Sequence, residues 1–561
     1  MSAMVTEAAG RGDRANDISW RWTSLVGAGL RARVAGRIGL LSDVEYWRTN
    51  TARLQVRQLR TILRTAAGTE IGFQNRFHRL ARVGDADLVR AYRDVLQAAD
   101  WYAFRDRLSR MREHGEPGVL WPGLVRDFCQ TSGTTAGDKF IPLSREMMRS
   151  NFRASLDIFA NLARFGVDLT RLLVGKCLFL GGSSSVSTNR YGVRTGDLSG
   201  LVVPMIRWPL SEIYLPGPDI ALESHWPTKI EKMARRCLEQ DVRMVSGMPS
   251  WALVLFQRVL ELARERRGAS RGVPAPECLL DVWPNLSVFV HGGVRYEPFR
   301  PRLGALVTGD AGGDFATRHE LYPASEGFIA MQDTPGDPGL RLCSDIGNFY
   351  EFIPLEEIDK PNPAAFTCDA VEKGQRYVVC MTTCAGLYRY IIGDVVVFDT
   401  IPGGLDGRGG DGACRLRIVG RHRLFINAFG ENLIVEHIER AVEDAARAAG
   451  VEVGEFTAAP VYPEPGAGRR GGLEVVVESE GLGDAGRRAA FAAGLDESLK
   501  RQNVDYTTKR TDSLGMGAPT VTPVGMGAFH RWLESRGKLG GQHKVPRCAN
   551  HREIVEAIAA R

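Results

Sequence analysis

A chain of 561 residues is too long for one hydrophobic core and calls for two to four domains. Its 44% hydrophobic and 25% charged residues are ordinary for a water-soluble globular protein, and no apolar run is long enough to cross a bilayer, so no membrane partner is expected. The net charge of +6 comes from scattered arginines with no dense basic block among aromatics, which argues against a nucleic-acid partner.

The opening MSAMVTEAAGRGDRA is small, polar and charged and lacks the apolar core of a secretory signal. Residues 1–16 therefore read as a disordered start, and the expected address is cytoplasmic. Ten cysteines run from Cys129 to Cys548 without a CxxC pair. Three residues separate Cys380 from Cys384, the wrong spacing for a zinc knuckle, so buried free thiols in a reducing compartment are expected.

From Val44 to about Arg110 the pattern is helical: Leu59, Ile62, Leu63 and Ala66 form one apolar stripe. Arg53, Arg57, Arg60 and Arg64 recur on another face, where a solvated surface is expected ahead of an anion grip. GEPGVLWPG (115–123) breaks the helix, and VRDFCQ leads as a short strand into TSGTTAGDK, Thr131 to Lys139. Here Thr131, Ser132, Gly133, Thr134, Thr135 and Gly137 precede Lys139. Glycines let backbone N–H groups turn toward an anion, hydroxyls donate further hydrogen bonds, and the lysine adds charge, so the run can cradle phosphate. It departs from the common P-loop, because Phe140 stands where Ser or Thr would follow the lysine. The spacing predicts strand, loop and then a helix capped by Ser144.

LLVGKCLFLGG (172–182) and VRMVSGMPS (242–250) read as buried strands, the second running into an amphipathic helix whose Trp251 and Leu255 line either a pocket or plain core. A strand from Leu286 to Val290 ends in His291-Gly292-Gly293, where a flat ring can lie against backbone. His291 is expected to be packed or hydrogen-bonded, since no second histidine is spaced to share a metal. In HELYPASEGFIAM (319–331), Glu326 is a carboxylate in an otherwise buried segment, and its partner is either Mg²⁺ or a salt bridge. GLYRYIIGDVVVF (386–398) reads as two strand pieces around Gly393-Asp394, with Asp394 either capping a turn or accepting from two ribose hydroxyls. PGGLDGRGGDGA (402–413) reads as a flexible loop. After RLRIVGR (415–421) a small α/β unit follows, with Ile438, Ala441, Val442 and Ala445 on one helix face, and a tail carries Lys538 and Lys544.

Taken together these segments resemble the adenylate-forming ligase superfamily, and within it the GH3 acyl-acid amido synthetases. TSGTTAGDK is similar to the superfamily phosphate loop, Tyr322-Pro-Ala-Ser325-Glu326 to its YxxSE motif, and Asp394 falls where its ribose-binding aspartate lies. QLRTILRTAAGTEIGFQNRF, LYRYIIGDV and GQHKVPRC point to GH3 in particular, and the resemblance spans roughly residues 50–560. Gly420-Arg421 and FINAFGENLIVEHIE depart from the plant pattern and look like a bacterial-type member.

The resemblance implies an α/β fold with a large, multi-subdomain N-terminal adenylating domain (17–419), a hinge (420–423) and a small mobile C-terminal domain (424–561). It implies ATP and Mg²⁺, a small-molecule carboxylic acid and an amine, usually an amino acid. By the same resemblance Thr131–Thr135 and Lys139 hold phosphates, Ser325 meets the α-phosphate, and Glu326 binds Mg²⁺. Tyr322 and Gly292-Gly293 flank adenine, Asp394 and Arg421 serve the nucleotide, and Lys544 enters from the C-terminal domain during adenylation. Acyl delivery to coenzyme A, a carrier protein or a hydroxyl is the alternative reaction, and a non-catalytic ATP- or adenylate-binding protein a second alternative. Nothing in the sequence sets an oligomeric state, and a monomer is the expectation.

Overall fold

The computed structural model describes residues 23–560 except 132–138, 182–185, 207, 209, 224–225, 269–273, 294–295, 423–424, 427–432, 462–471, 504–505, 508–509, 511–515, 537–543 and 550. The expected disordered start, Ser132, Gly133, Thr134, Thr135, Arg423 and Lys538 thus lie outside the described residues.

In chain order the large domain contributes β1 (Asp127–Thr131), β2 (Lys139–Leu143), β3 (Lys176–Phe179), β4 (Ser187–Thr188), β5 (Arg194–Gly196), β6 (Tyr214–Leu215), β7 (Val242–Gly247) and β8 (Val288–Gly292). β9 (Thr317–Ala324), β10 (Gly327–Gln332), β11 (Leu340–Leu342), β12 (Phe349–Pro354), β13 (Tyr377–Thr382), β14 (Tyr390–Thr400) and β15 (Arg415–Arg421) follow. Eleven of these form one sheet in the order β12-β13-β14-β15-β11-β10-β9-β8-β7-β3-β6.

From β6 to β9 this sheet is parallel, and it turns antiparallel from β10 onward. Parallel strands need both faces covered. Val245 and Phe289 accordingly pack on one side, with residues of the helices Trp226–Cys237, Pro249–Gly268 and Arg300–Thr308. Met244, Val288 and Val290 pack on the other, with residues of Val44–Ala66 and Arg145–Arg164. The apolar stripe of Val44–Ala66 is buried as expected, while Arg53, Arg57 and Arg64 stay exposed and Arg60 pairs with Asp85.

β2 is a correction. Where loop then helix was expected, the chain returns antiparallel to β1, and only then does Ser144 cap the helix by accepting from the Met147 N–H at 3.0 Å. Pro142 disguises this strand, and it is tolerated because β2 is an edge of the four-stranded sheet β2-β1-β5-β4. β14 is one continuous strand rather than two pieces, with Gly393 at φ +96° inside it. The strand expected from Leu286 begins at Val288, since Leu286 N–H closes a turn on the Trp283 carbonyl at 3.0 Å. The 402–413 loop is pinned: Gly403 N–H donates to the Arg48 carbonyl at 2.8 Å and Arg53 to the Leu405 carbonyl at 3.2 Å. All ten cysteines are buried and free.

The smaller C-terminal domain holds the short ribbon β16 (Phe425–Ile426) and β17 (Leu433–Ile434), and the sheet β18 (Phe456–Val461), β19 (Gly472–Glu478) and β20 (Thr520–Val524). Its helix Val435–Ala449 buries Ile438, Ala441, Val442 and Ala445, the face read from the sequence. Among the described residues no helix is long and apolar enough to cross a membrane.

Candidate active site

Strands β3, β7 and β8 end side by side, and Gly181, Gly247 and Gly292-Gly293 open there onto a cavity of about 1860 Å³ between the two domains. The carboxyl edge of parallel strands, where loops diverge, is the usual ligand edge of an α/β sheet. Lys139, Gly292, Gly293, Tyr322, Ser325, Glu326, Asp394, Arg421 and Lys544 all border this one cavity. Thr131 ends β1 opposite Lys139, at the mouth of the loop whose remaining residues are outside the description.

Three chain segments make the firmest corner. The β9–β10 hairpin carries Tyr322, whose hydroxyl donates to Asp394 Oδ2 at 2.6 Å. Asp394 Oδ1 lies 3.0 Å from Arg421 Nε, across the β14–β15 pair in which these two residues are register partners. Arg421 also donates from Nη2 to the Ile392 carbonyl at 3.0 Å. The Asp394 carboxylate holds the Arg421 guanidinium above its usual range, while burial pushes the Tyr322 phenol well up and keeps it a donor. The positive φ of Gly393 has a use here. A Cβ at that position would come 3.1 Å from the His422 imidazole, whose Nδ1 lies 3.1 Å from the Gly393 carbonyl.

Asp394 therefore caps no turn; it is mid-strand and tied to two partners. Tyr322 is only 4% exposed, its ring belongs to the large-domain core, and what it presents is mainly its hydroxyl on Asp394.

Ser325 and Glu326 occupy the two-residue turn between β9 and β10, and both are buried. Burial raises the Glu326 carboxyl, Arg421 and Lys139 act against that shift, and burial together with the nearby Glu326 charge pushes the Tyr390 phenol well up. A buried carboxylate destabilised by its surroundings is relieved by a cation. Mg²⁺ needs few protein ligands when substrate phosphates and water complete its shell, so Glu326 fits such an ion.

Lys544 reaches the cavity from the small domain and donates its ammonium to the Gly293 carbonyl. It borders the cavity while keeping an exposed surface, and desolvation within the cleft lowers it to about 8 against the pull of Asp394. Gly293 has φ +82°, and a Cβ there would sit 2.9 Å from Lys544 Nζ and 3.3 Å from Met248 Sδ. Trp251 borders the cavity, whereas Leu255 is core, so the two residues weighed together separate. His291 stacks on Tyr296 at 4.9 Å, and burial takes it down to about 3, so it stays neutral. Asp197, within TGDLSG, also borders the cavity; no motif marks it, and only the fold reveals it.

A large α/β domain and a smaller one share a cleft at the ends of parallel strands, the fold also seen in solved adenylate-forming ligases. Models of one family match in chain order: the GH3 family N-terminal domain over 40–219, the central domain over 342–403 and the C-terminal domain over 436–553. The chain belongs to the GH3 family. The jasmonoyl–L-amino acid synthetase JAR4 of Nicotiana attenuata is 29% identical over 575 residues, 91% of this chain and 93% of its own. The indole-3-acetic acid-amido synthetase GH3.8 of Oryza sativa subsp. indica is 26% identical over 304 residues, 50% of this chain, and the match spans only 46% of that relative. The solved GH3.15 acyl acid amido synthetase shares the fold with a TM-score of 0.73 at 18% identity, covering 93% of this chain and 96% of its own. The same enzyme has been solved in complex with 2,4-DB.

Proposed function

We propose that this protein is an ATP-dependent acyl-acid amido synthetase of the cytoplasm, joining a small carboxylic acid to an amine, most simply an amino acid. The observation that carries the reading is convergence. Glu326, Asp394, Arg421 and Gly293 of the large domain and Lys544 of the small one border a single cavity. At about 1860 Å³ that cavity exceeds the roughly 300–1,000 Å³ of an ordinary one-ligand pocket, so a nucleotide and an acid fit together. The named relatives, an indole-3-acetic acid-amido synthetase and a jasmonoyl–L-amino acid synthetase, support the reaction class, and the 2,4-DB complex supports a small acid as substrate.

In the first step a carboxylate oxygen attacks the α-phosphorus of ATP, the bond to the β-phosphate oxygen breaks, and pyrophosphate leaves with the electron pair. The obstacle is two anions meeting, so fixed donors and cations must offset developing charge. Thr131–Thr135 and Lys139 cradle the phosphates, Ser325 donates to the α-phosphate, and Lys544 brings a positive charge to the reacting oxygens. Asp394 accepts from the ribose hydroxyls while Arg421 and Tyr322 hold it in place, and Gly292-Gly293 leave room for the adenine face. Glu326 would hold a magnesium ion, which supplies phosphate charge neutralisation when bound. In the second step the amine attacks the acyl carbon, and AMP departs. A swing of the small domain about 420–423 withdraws Lys544 and admits the amine.

Acid-dependent ATP–pyrophosphate exchange, followed by mass spectrometry of products from an amino acid pool, tests the reading. Exchange with amide products is expected. A thioester formed with coenzyme A and no amide would replace this reading with an acyl-CoA ligase.

A further inference from the structure

Asp197 stands where β5 gives way to the short helix Leu198–Val202, in the N-cap position of that helix. The carboxylate makes no capping hydrogen bond to that helix, and its Oδ2 is buried with no hydrogen-bond partner. The Ser199 hydroxyl, two residues on, is likewise buried and unpartnered. A buried oxygen left without a hydrogen bond is costly, and a fold accepts that cost where something is meant to bind.

Position turns this from a packing defect into a site. Ser199 packs over the end of β3: a Cβ on Gly181 would lie 2.9 Å from its Cβ and 3.1 Å from its Oγ. Gly181, Asp197, Leu198 and Ser199 therefore border the cavity at the same strand edge as Gly247 and Gly292. β5, which leads into Asp197, pairs in parallel with β1, and β1 ends opposite Lys139, which borders the same cavity. The charged group acting on it is Lys229 from the helix Trp226–Cys237, whose ammonium donates to the Ala221 carbonyl at 2.6 Å, while burial pushes the Cys129 thiol up and keeps it neutral. Burial raises the Asp197 carboxyl to about 6 and Lys229 acts against that shift, which places it near the range useful for proton transfer at neutral pH.

We propose that Asp197 receives the acceptor: its carboxylate binds the incoming ammonium and takes the proton whose loss frees the nitrogen lone pair. This rests on the amido-synthetase reading and names the residue that handles the amine. An amino acid arrives as an ammonium and has no lone pair until it loses a proton. With the acyl-adenylate in place, the Asp197 carboxylate takes that proton, nitrogen bonds to the acyl carbon, and the bond from that carbon to the AMP oxygen breaks. The nitrogen loses its surplus proton to water, and AMP leaves with the electron pair. The acceptor class that follows is primary amines that are protonated in solution. A nucleophile already neutral at pH 7, such as hydroxylamine, does not need the residue.

The test compares wild type with Asp197→Asn, using an acid that supports pyrophosphate exchange in wild type (indole-3-acetate, 2,4-DB and benzoate being the probes) and either glycine or hydroxylamine as acceptor. The expected result is exchange and hydroxamate formation within threefold of wild type, with glycine conjugation down about 100-fold or more, the scale of a lost general base. Asp197→Glu, which restores a carboxylate, should recover glycine conjugation to within tenfold of wild type. Glycine conjugation undiminished in Asp197→Asn overturns the proposal, and so does loss of exchange, hydroxamate and amide together. If Asp197→Asn does not fold, Asp197→Glu decides: loss of glycine conjugation alone overturns the assignment, and conjugation retained with a shifted pH profile upholds it. Wild-type enzyme that gives exchange but no amide or hydroxamate sinks the amido-synthetase reading itself.

Discussion

Asp394 and Lys544 border the same cavity, yet they are held in opposite ways. Asp394 sits inside β14, hydrogen-bonded to Tyr322 from one hairpin and ion-paired with Arg421 from the neighbouring strand. Lys544 belongs to the other domain and meets this site through the Gly293 carbonyl. The first arrangement suits a group that must hold a nucleotide throughout a reaction, because moving it means breaking sheet pairing. The second suits a charge needed for one step and then withdrawn. In the proposed reaction, fixed and removable parts of one site would be distinguished by how many partners tie each down.

Lys544→Ala should show the contrast most strongly. Adenylation should fall about 100- to 1,000-fold, the usual loss for one transition-state donor, while aminolysis of supplied acyl-AMP changes less than threefold. Pyrophosphate exchange and single-turnover aminolysis read the two steps separately. Asp394→Ala should act on both steps and on the fold. It strands the Tyr322 hydroxyl and the Arg421 guanidinium, a cost of about 1–3 kcal/mol visible in urea unfolding, and it raises KM for ATP at least tenfold. Gly293→Ala is milder: its Cβ meets Lys544 Nζ at 2.9 Å in a backbone conformation that disfavours side chains. Adenylation should drop about tenfold, with roughly 1 kcal/mol of stability lost.

Titration sharpens the same comparison. With Lys544 at about 8, exchange activity should decline as pH rises through 8, and Lys544→Arg should abolish that inflection. The stability effect has the opposite sign. Because the folded lysine sits below its ordinary value of 10.5, the unfolded chain binds more protons between about 8 and 10.5, and this group's contribution makes folding more favourable as pH rises there. Smallest of all is Arg57→Ala on the exposed basic stripe, which should stay within about 0.5 kcal/mol of wild type and leave ATP affinity unchanged.

Local signals in the sequence carried well into the structure. The Leu59 stripe, the Ser144 cap and the buried face of Val435–Ala449 each follow from spacing and capping chemistry within one element. β2 was hidden because Pro142 speaks against a strand, and only its place at a sheet edge excuses it. The site shows the same division. Glu326, Asp394 and Lys544 stand in recognisable strings, but the Tyr322–Asp394 bond spans 72 residues and no periodicity announces it. Asp197 is invisible for the same reason: an aspartate before a short helix is an ordinary cap until the fold brings it to the end of β3.

The most direct measurement is acid-dependent ATP–pyrophosphate exchange in wild type, Asp394→Ala and Lys544→Ala proteins side by side. Convergence on one nucleotide predicts exchange in wild type and its collapse in both variants, with AMP binding weakened by the first change and spared by the second. Robust exchange in either variant, or AMP affinity indifferent to Asp394, would contradict it.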